Sequence, residues 1–187
     1  MKERNDMSES RVPALTIALL ATVIGLTSSA QVCAQTQKGA FEAGIEVGPL
    51  LFIATGGHEL VGGFLLSGQP HVGYFLTEEL AVGATALFYH SVDGDPSQPS
   101  MLFGGVYGHA NYHFNSGSAL SPYIGGRMGA FKADSEMHYA VGAQGGLQYF
   151  VTRQLSVDGQ LEIGASPGSG GTVFMAGLAL GLSYHVK

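Results

Sequence analysis

Between residues 154 and 164 the chain reads QLSVDGQLEIG, and every second residue belongs to one chemical class. Leu155, Val157, Gly159, Leu161 and Ile163 fall on one side, and Gln154, Ser156, Asp158, Gln160 and Glu162 on the other. Successive side chains of a β-strand point to opposite faces, so this alternation specifies a strand with one apolar and one polar face. The period recurs at 139–151, where Val141, Leu147, Tyr149 and Val151 oppose Gln144, Gln148 and several glycines. It recurs again at 172–186, where Phe174, Leu178, Leu180, Leu182, Tyr184 and Val186 oppose Gly177, Gly181, Ser183 and His185. Eight such stretches are predicted, at 41–53, 61–76, 80–90, 101–114, 121–131, 139–151, 154–164 and 172–186.

These stretches exceed the usual strand length of about 5–6 residues. A tilted strand that crosses a bilayer needs about 9–11. The connections after strands two, four and six are short: 77–79, 115–120 and 152–153. Those after strands one, three, five and seven are expected to be longer and rich in Gly, Pro, Asp and Ser, as in SVDGDPSQPS (91–100) and SPGSGG (166–171). Short turns on one side and longer loops on the other suit a membrane barrel. The expected fold is all-β, an eight-stranded antiparallel transmembrane up-and-down β-barrel. The even strand number puts both chain ends on the short-turn side.

Alternation alone does not say which face is outside. Charge decides it. Only 12% of the 187 residues are charged, about half the usual share of roughly 25%. A surface in water needs about 25–35%. So few charges cannot cover a soluble barrel, but they suffice for a narrow polar lumen. A closed barrel also leaves no unpaired strand edge in lipid. The same composition excludes other classes. One cysteine builds no disulfide scaffold, and a net charge of −6 with 8 Lys+Arg argues against a nucleic-acid partner.

The first residues read as an address. Lys2, Arg4 and Arg11 precede a 13-residue apolar run at 14–26 and an exit of small residues through Val32, Cys33 and Ala34. This is the pattern of a secretory signal peptide, and the run is too short to span a bilayer as a helix. The expected leader is 1–34, cleaved after Ala34, and the expected barrel domain is 35–187. Acylation at Cys33 is disfavoured, because the preceding Ala30-Gln31-Val32 lacks the small residues expected immediately before such a cysteine.

The stretches HVGYFLTEELAVGA (71–84), PYIGGRMGAF (122–131) and GGLQYFVTRQLSVDGQLE (145–162) resemble the small bacterial outer-membrane β-barrel domain family, which includes the barrel of outer membrane protein A. The ending GLSYHV (181–186) is similar to the carboxyl-terminal signal read by the barrel-insertion machinery, with Gly181, Tyr184 and Val186 at its glycine and hydrophobic positions. Many members end in phenylalanine, whereas this chain ends in Val186-Lys187. The resemblance implies location in the cell outer membrane of a Gram-negative bacterium. It also implies contact with outer-membrane lipid, periplasmic chaperones and the insertion machinery. It implies little about activity, because fold does not give function.

The inward faces are predicted to collect Glu42, Glu46, His71, His109, Asn111, His113, Arg127, Asp158, Glu162 and His185. A buried guanidinium needs a carboxylate, so Arg127 is expected to pair with Glu46, Asp158 or Glu162. Gly125 and Gly129 beside Arg127, and Gly142 and Gly146 beside Gln144, are expected to leave room for these groups. His109, Asn111 and His113 share one face of a strand and with His71 and His185 could offer metal ligands, but even alternate residues stand about 6.6–7 Å apart, wide for two ligands on one ion, so histidine is read as filler; no metal or cofactor is expected. Tyr74, Tyr112, Tyr149 and Tyr184, with Phe114, are placed in an interfacial aromatic belt. Asp93-Gly94-Asp95 lacks the later ligands of a calcium loop and reads as a turn. His58, His90, Ser91 and His138 lie at the outer rim without a spacing that makes a triad. The expected role is that of a monomeric, non-enzymatic barrel with a structural or surface-interaction function. The alternatives are a narrow pore gated by a lumen ion pair, and a lipid-modifying enzyme.

Overall fold

A computed structural model describes residues 36–56, 59–91, 102–133, 136–168 and 171–187. The expected leader with Cys33 and Ala34, together with His58 and Asp93-Gly94-Asp95, lies outside the described residues. The chain forms eight strands: β1 (Phe41–Gly56), β2 (Glu59–Phe75), β3 (Leu80–Ser91), β4 (Leu102–His113), β5 (Leu120–Ala133), β6 (Glu136–Phe150), β7 (Leu155–Gly168) and β8 (Gly171–Val186). Each pairs antiparallel with its sequence neighbour, and β1 pairs with β8, so the sheet closes into a barrel. Closure satisfies backbone N–H and C=O groups that lipid could not.

The alternating phase sets the two faces. In β7 Ser156, Asp158, Gln160 and Glu162 are buried, while Val157, Leu161 and Ile163 are exposed. The same holds in β8, where Gly177, Ala179, Ser183 and His185 face in and Leu178, Leu180 and Leu182 face out. The exposed face is therefore the apolar one. Leu180 is 64% and Met128 67% exposed, values that a soluble protein would not tolerate across a whole surface.

The end that carries Thr36 and Lys187, here the terminal end, holds the connections 76–79, 114–119 and 151–154. Thr77 and Thr152 shape two of them, each hydroxyl accepting from the backbone N–H groups two and three residues on. Asn115 takes a positive φ of 56° in the third, which asparagine tolerates better than most residues.

The opposite, far end differs from expectation. Pairing continues to Gly56↔Glu59, Ala133↔Glu136 and Gly168↔Gly171. Three of the four connections there are thus two residues long, and the fourth, 92–101, has more residues. The glycines, prolines and serines read as loop belong in part to strand. Thr172↔Pro167 and Val173↔Ser166, for example, prolong the β7–β8 ladder. Backbone pairing with a neighbouring strand overrode weak local propensity.

Candidate functional site

The lumen is layered. At the terminal end Phe75 and Phe150 are buried against imidazoles: Phe75 lies 5.2 Å from His113 and Phe150 4.9 Å from His185. Polar groups fill the middle. Toward the far end Leu50, Leu87, Tyr107 and Ala140 form a buried apolar cluster, with Phe131 and Met175 packed on it. This apolar layer was not anticipated from the sequence. Its signal was present in the phase, because Leu50 has the parity of Glu46, Tyr107 that of His109, and Phe131 that of Arg127.

Directly beneath that layer Arg127 Nη1 donates to Glu162 in an ion pair. Gln69 closes a triangle: its Oε1 accepts from Arg127 at 3.4 Å and its Nε2 donates to Glu162 Oε1 at 3.1 Å. The Tyr107 ring covers the guanidinium at 4.4 Å, a cation–π contact strengthened by desolvation. Of the three carboxylates open to Arg127, Glu162 is the one it meets. Glu46 instead accepts from Gln160 Nε2 at 3.1 Å, and Gln160 accepts from the Tyr123 hydroxyl at 2.8 Å. Asp158 accepts from Ser183 Oγ at 2.6 Å, and Ser183 Oγ lies 3.3 Å from His71 Nε2. His109 Nδ1 lies 3.1 Å from Thr85 Oγ1. The five expected network residues therefore divide among four clusters. Only Arg127 and Glu162 pair directly.

Gln69, Gln160, Gln148, Ser156 and Ser183 do much of the joining; the alternation places the last four on the polar face but not in the expected network, and Gln69 carried no sequence signal beyond its parity with His71. Gln148 Nε2 donates to Glu42 Oε1 at 2.9 Å, and His71 and His185 approach that same oxygen at 3.8 and 3.9 Å. A small polar cavity of about 30 Å³ lies among Glu42, Glu46, His71, His109 and Asp158, room for about one or two waters. Among the described residues no cluster of three His, Cys, Asp or Glu has metal-holding geometry.

Glycine makes this crowding fit, but across strands rather than along one. The residue opposite Arg127 in the ladder is Gly142, opposite Asn111 is Gly125, opposite Tyr107 is Gly129, and opposite Tyr123 is Gly146. The same pairing joins Glu162 to Gly177, Glu46 to Gly181, His71 to Gly44 and His109 to Gly83. A Cβ at Gly177 would stand 2.7 Å from Glu162 Oε1, and one at Gly181 2.6 Å from Glu46 Cγ. Gly125 and Gly129 thus seat Asn111 and Tyr107, not the Arg127 between them.

The outward face is the second candidate surface. Tyr74, Tyr112, Tyr149 and Tyr184 all sit exposed near the terminal ends of their strands, joined by Phe41 and Phe114. Phe41 and Tyr74 rings lie 4.9 Å apart, and the Tyr184 hydroxyl donates to Gln154 at 3.1 Å. Tyr139 on β6 and Phe174 on β8 stand ten positions from Tyr149 and Tyr184 and are exposed at the other end. At roughly 3.3 Å per residue and a tilt of about 40°, that separation spans about 25 Å, the height of a barrel's apolar band. Between these girdles the outward residues of both strands are Val141, Ala143, Gly145 and Leu147, and Ala176, Leu178, Leu180 and Leu182. Lys132, at the far edge, is the sole ionisable residue on the described outward face other than tyrosine. Gly181 points inward, while Tyr184 and Val186 point outward at the β8 end. At the rim His138 stacks on Phe131 at 5.4 Å, and the side chains of His90 and Ser91 lie outside the described residues.

These two surfaces, a polar core within a charge-free belt, invert the layout of a soluble domain. The fold is that of a small transmembrane β-barrel. Among solved structures it is similar to Neisserial surface protein A, with a TM-score of 0.58 and 19% identity, covering 79% of this chain and 99% of that one. Other similar structures are the N-terminal barrel of Pseudomonas aeruginosa OprF (TM-score 0.44, 20% identity, 76% of this chain and 97% of that one) and Yersinia pestis Ail, the attachment invasion locus protein (0.46, 16%, 80% and 100%). No protein-family model and no curated protein matches the sequence.

Proposed function

We propose that the chain is exported behind a leader at 1–34 and inserted into the outer membrane of a Gram-negative bacterium. There it serves as a monomeric structural or surface-interacting barrel, neither an enzyme nor an open pore. The observation that carries this reading is the filled lumen: Leu50, Leu87, Tyr107 and Ala140 pack across it above the Arg127–Glu162 pair, inside a belt that only lipid would accept. Its partners on this reading are outer-membrane lipid, periplasmic chaperones and the insertion machinery, which would read Gly181, Tyr184 and Val186.

A second reading has a specific observation in its favour. Arg127 touches Gln69 as well as Glu162, and Glu46 and Asp158 lie elsewhere in the same lumen. A guanidinium that exchanged one carboxylate for another would open a narrow path. Planar-bilayer recording separates the two. A plugged barrel gives no resolved conductance steps as wild type or as Arg127→Ala. Conductance that appears or rises in Arg127→Ala favours the gate.

A further inference from the structure

We propose that residues 36–40, which precede β1, form a hinged strap that closes the terminal mouth of the barrel and keeps solution out of the polar lumen. The inference is independent of which membrane holds the barrel. Ala40 anchors the strap: it is buried with Phe75 and Ala81, and its carbonyl accepts from Phe75 N at 3.0 Å. Gly39 is the hinge. Its N–H donates to Phe75 O at 2.8 Å, and its φ of +85° turns the chain away from the strand direction, a conformation glycine adopts without steric cost. Thr36 is the latch. Its Oγ1 donates to the carbonyl of Ser116 at 3.2 Å, and the residue is only 3% exposed.

Ser116 lies in the β4–β5 connection, and β1 and β5 are four strands apart in a closed ring of eight. The strap therefore runs across the opening rather than along the rim, within its reach of about 14 Å. Two cavities lie against it, one of about 350 Å³ lined by Lys38, Glu78 and Ser116 and one of about 180 Å³ lined by Arg153 and His185, with Gln37 and Lys187 lining both. Beneath it the lumen begins with His113 and His185, whose Nε2 and Nδ1 atoms respectively are buried without a hydrogen-bond partner among the described residues. Such ring nitrogens are costly to bury dry, and they would be the first groups wetted if the strap lifted. Solution that entered there would still meet the Arg127–Glu162 pair and the apolar layer, so the strap controls access from one side and not passage.

Diethyl pyrocarbonate, which acylates solvent-reached imidazoles, tests this directly on the mature chain (35–187) folded in detergent, with modified residues located by mass spectrometry. The intact chain should react slowly at His185 and His113. A chain lacking 35–38, and separately Thr36→Val, should react faster at His185 by about tenfold or more, as local opening without global unfolding allows. His109, deeper in the lumen, should stay slow in all three. If the shortened chain gives no folded species, Thr36→Val decides alone. Equal rates at His185 in the intact and altered chains would overturn the strap. So would acceleration at His109 alongside His185, because that reports loosening of the whole barrel.

Discussion

At the scale of single residues, the lumen is a problem of volume before it is one of charge. An eight-stranded barrel has a bore just wide enough for side chains to fill, and this one holds an arginine, several glutamines, Tyr123 and four histidines in its middle and terminal layers. Arg127, Glu162, Glu46, His71 and His109 each have a glycine as a ladder partner, and so do Tyr107 and Tyr123. Gly177 and Gly68 make a sharp contrast. A Cβ at Gly177 would meet Glu162 and Leu50, whereas one at lipid-facing Gly68 would meet nothing within 4 Å. Gly177→Val should therefore lower the unfolding free energy by about 1–3 kcal/mol through overpacking. Gly68→Ala should change it by no more than about 0.5 kcal/mol, as surface changes usually do. Urea titration in lipid vesicles measures both. Equal effects would remove the steric account of the glycines. The arginine's need for an acid was readable in the sequence, but its choice of Glu162 was not, because that depends on which strands face each other across the bore.

At the scale of elements, the strands were legible because period-two alternation is a local property. All eight were expected, with ends that differ from the observed ones by no more than four residues. The differences gather at the far end, where Gly, Pro and Ser weaken the pattern and cross-strand pairing restores it. The apolar layer shares the parity of the polar network, so a reading that sought only polar inward residues passed over Leu50, Leu87 and Met175. The strap has no period at all, and its position depends on a turn eighty residues away in sequence. The outward faces supply a quantitative expectation. Leu180 stands midway between the girdles on β8. Leu180→Arg should cost about 2–4 kcal/mol in vesicles, falling to about 0–1 for an arginine placed at the girdle level. A cost independent of depth would mean that this face does not meet hydrocarbon.

At the scale of the whole molecule, the scarcity of charge is a matter of placement. The expected barrel domain keeps few charged residues, and the described ones lie in the lumen, in the connections, at the far edge or just outside β1 and β8 at Lys38 and Lys187. Lipid can then surround every strand while the closed sheet leaves no unpaired edge. Nothing in this arrangement depends on what lies beyond the rim, which is why the fold follows from the chain so much more directly than its role does. The central claim is that the apolar face meets a membrane. The most direct measurement is electrophoresis of outer-membrane fractions in sodium dodecyl sulfate, with and without boiling. The barrel should be found in those fractions, resist the detergent unheated and change mobility only after boiling. A protein recovered in the soluble periplasmic fraction, with one mobility regardless of heating, would contradict the account.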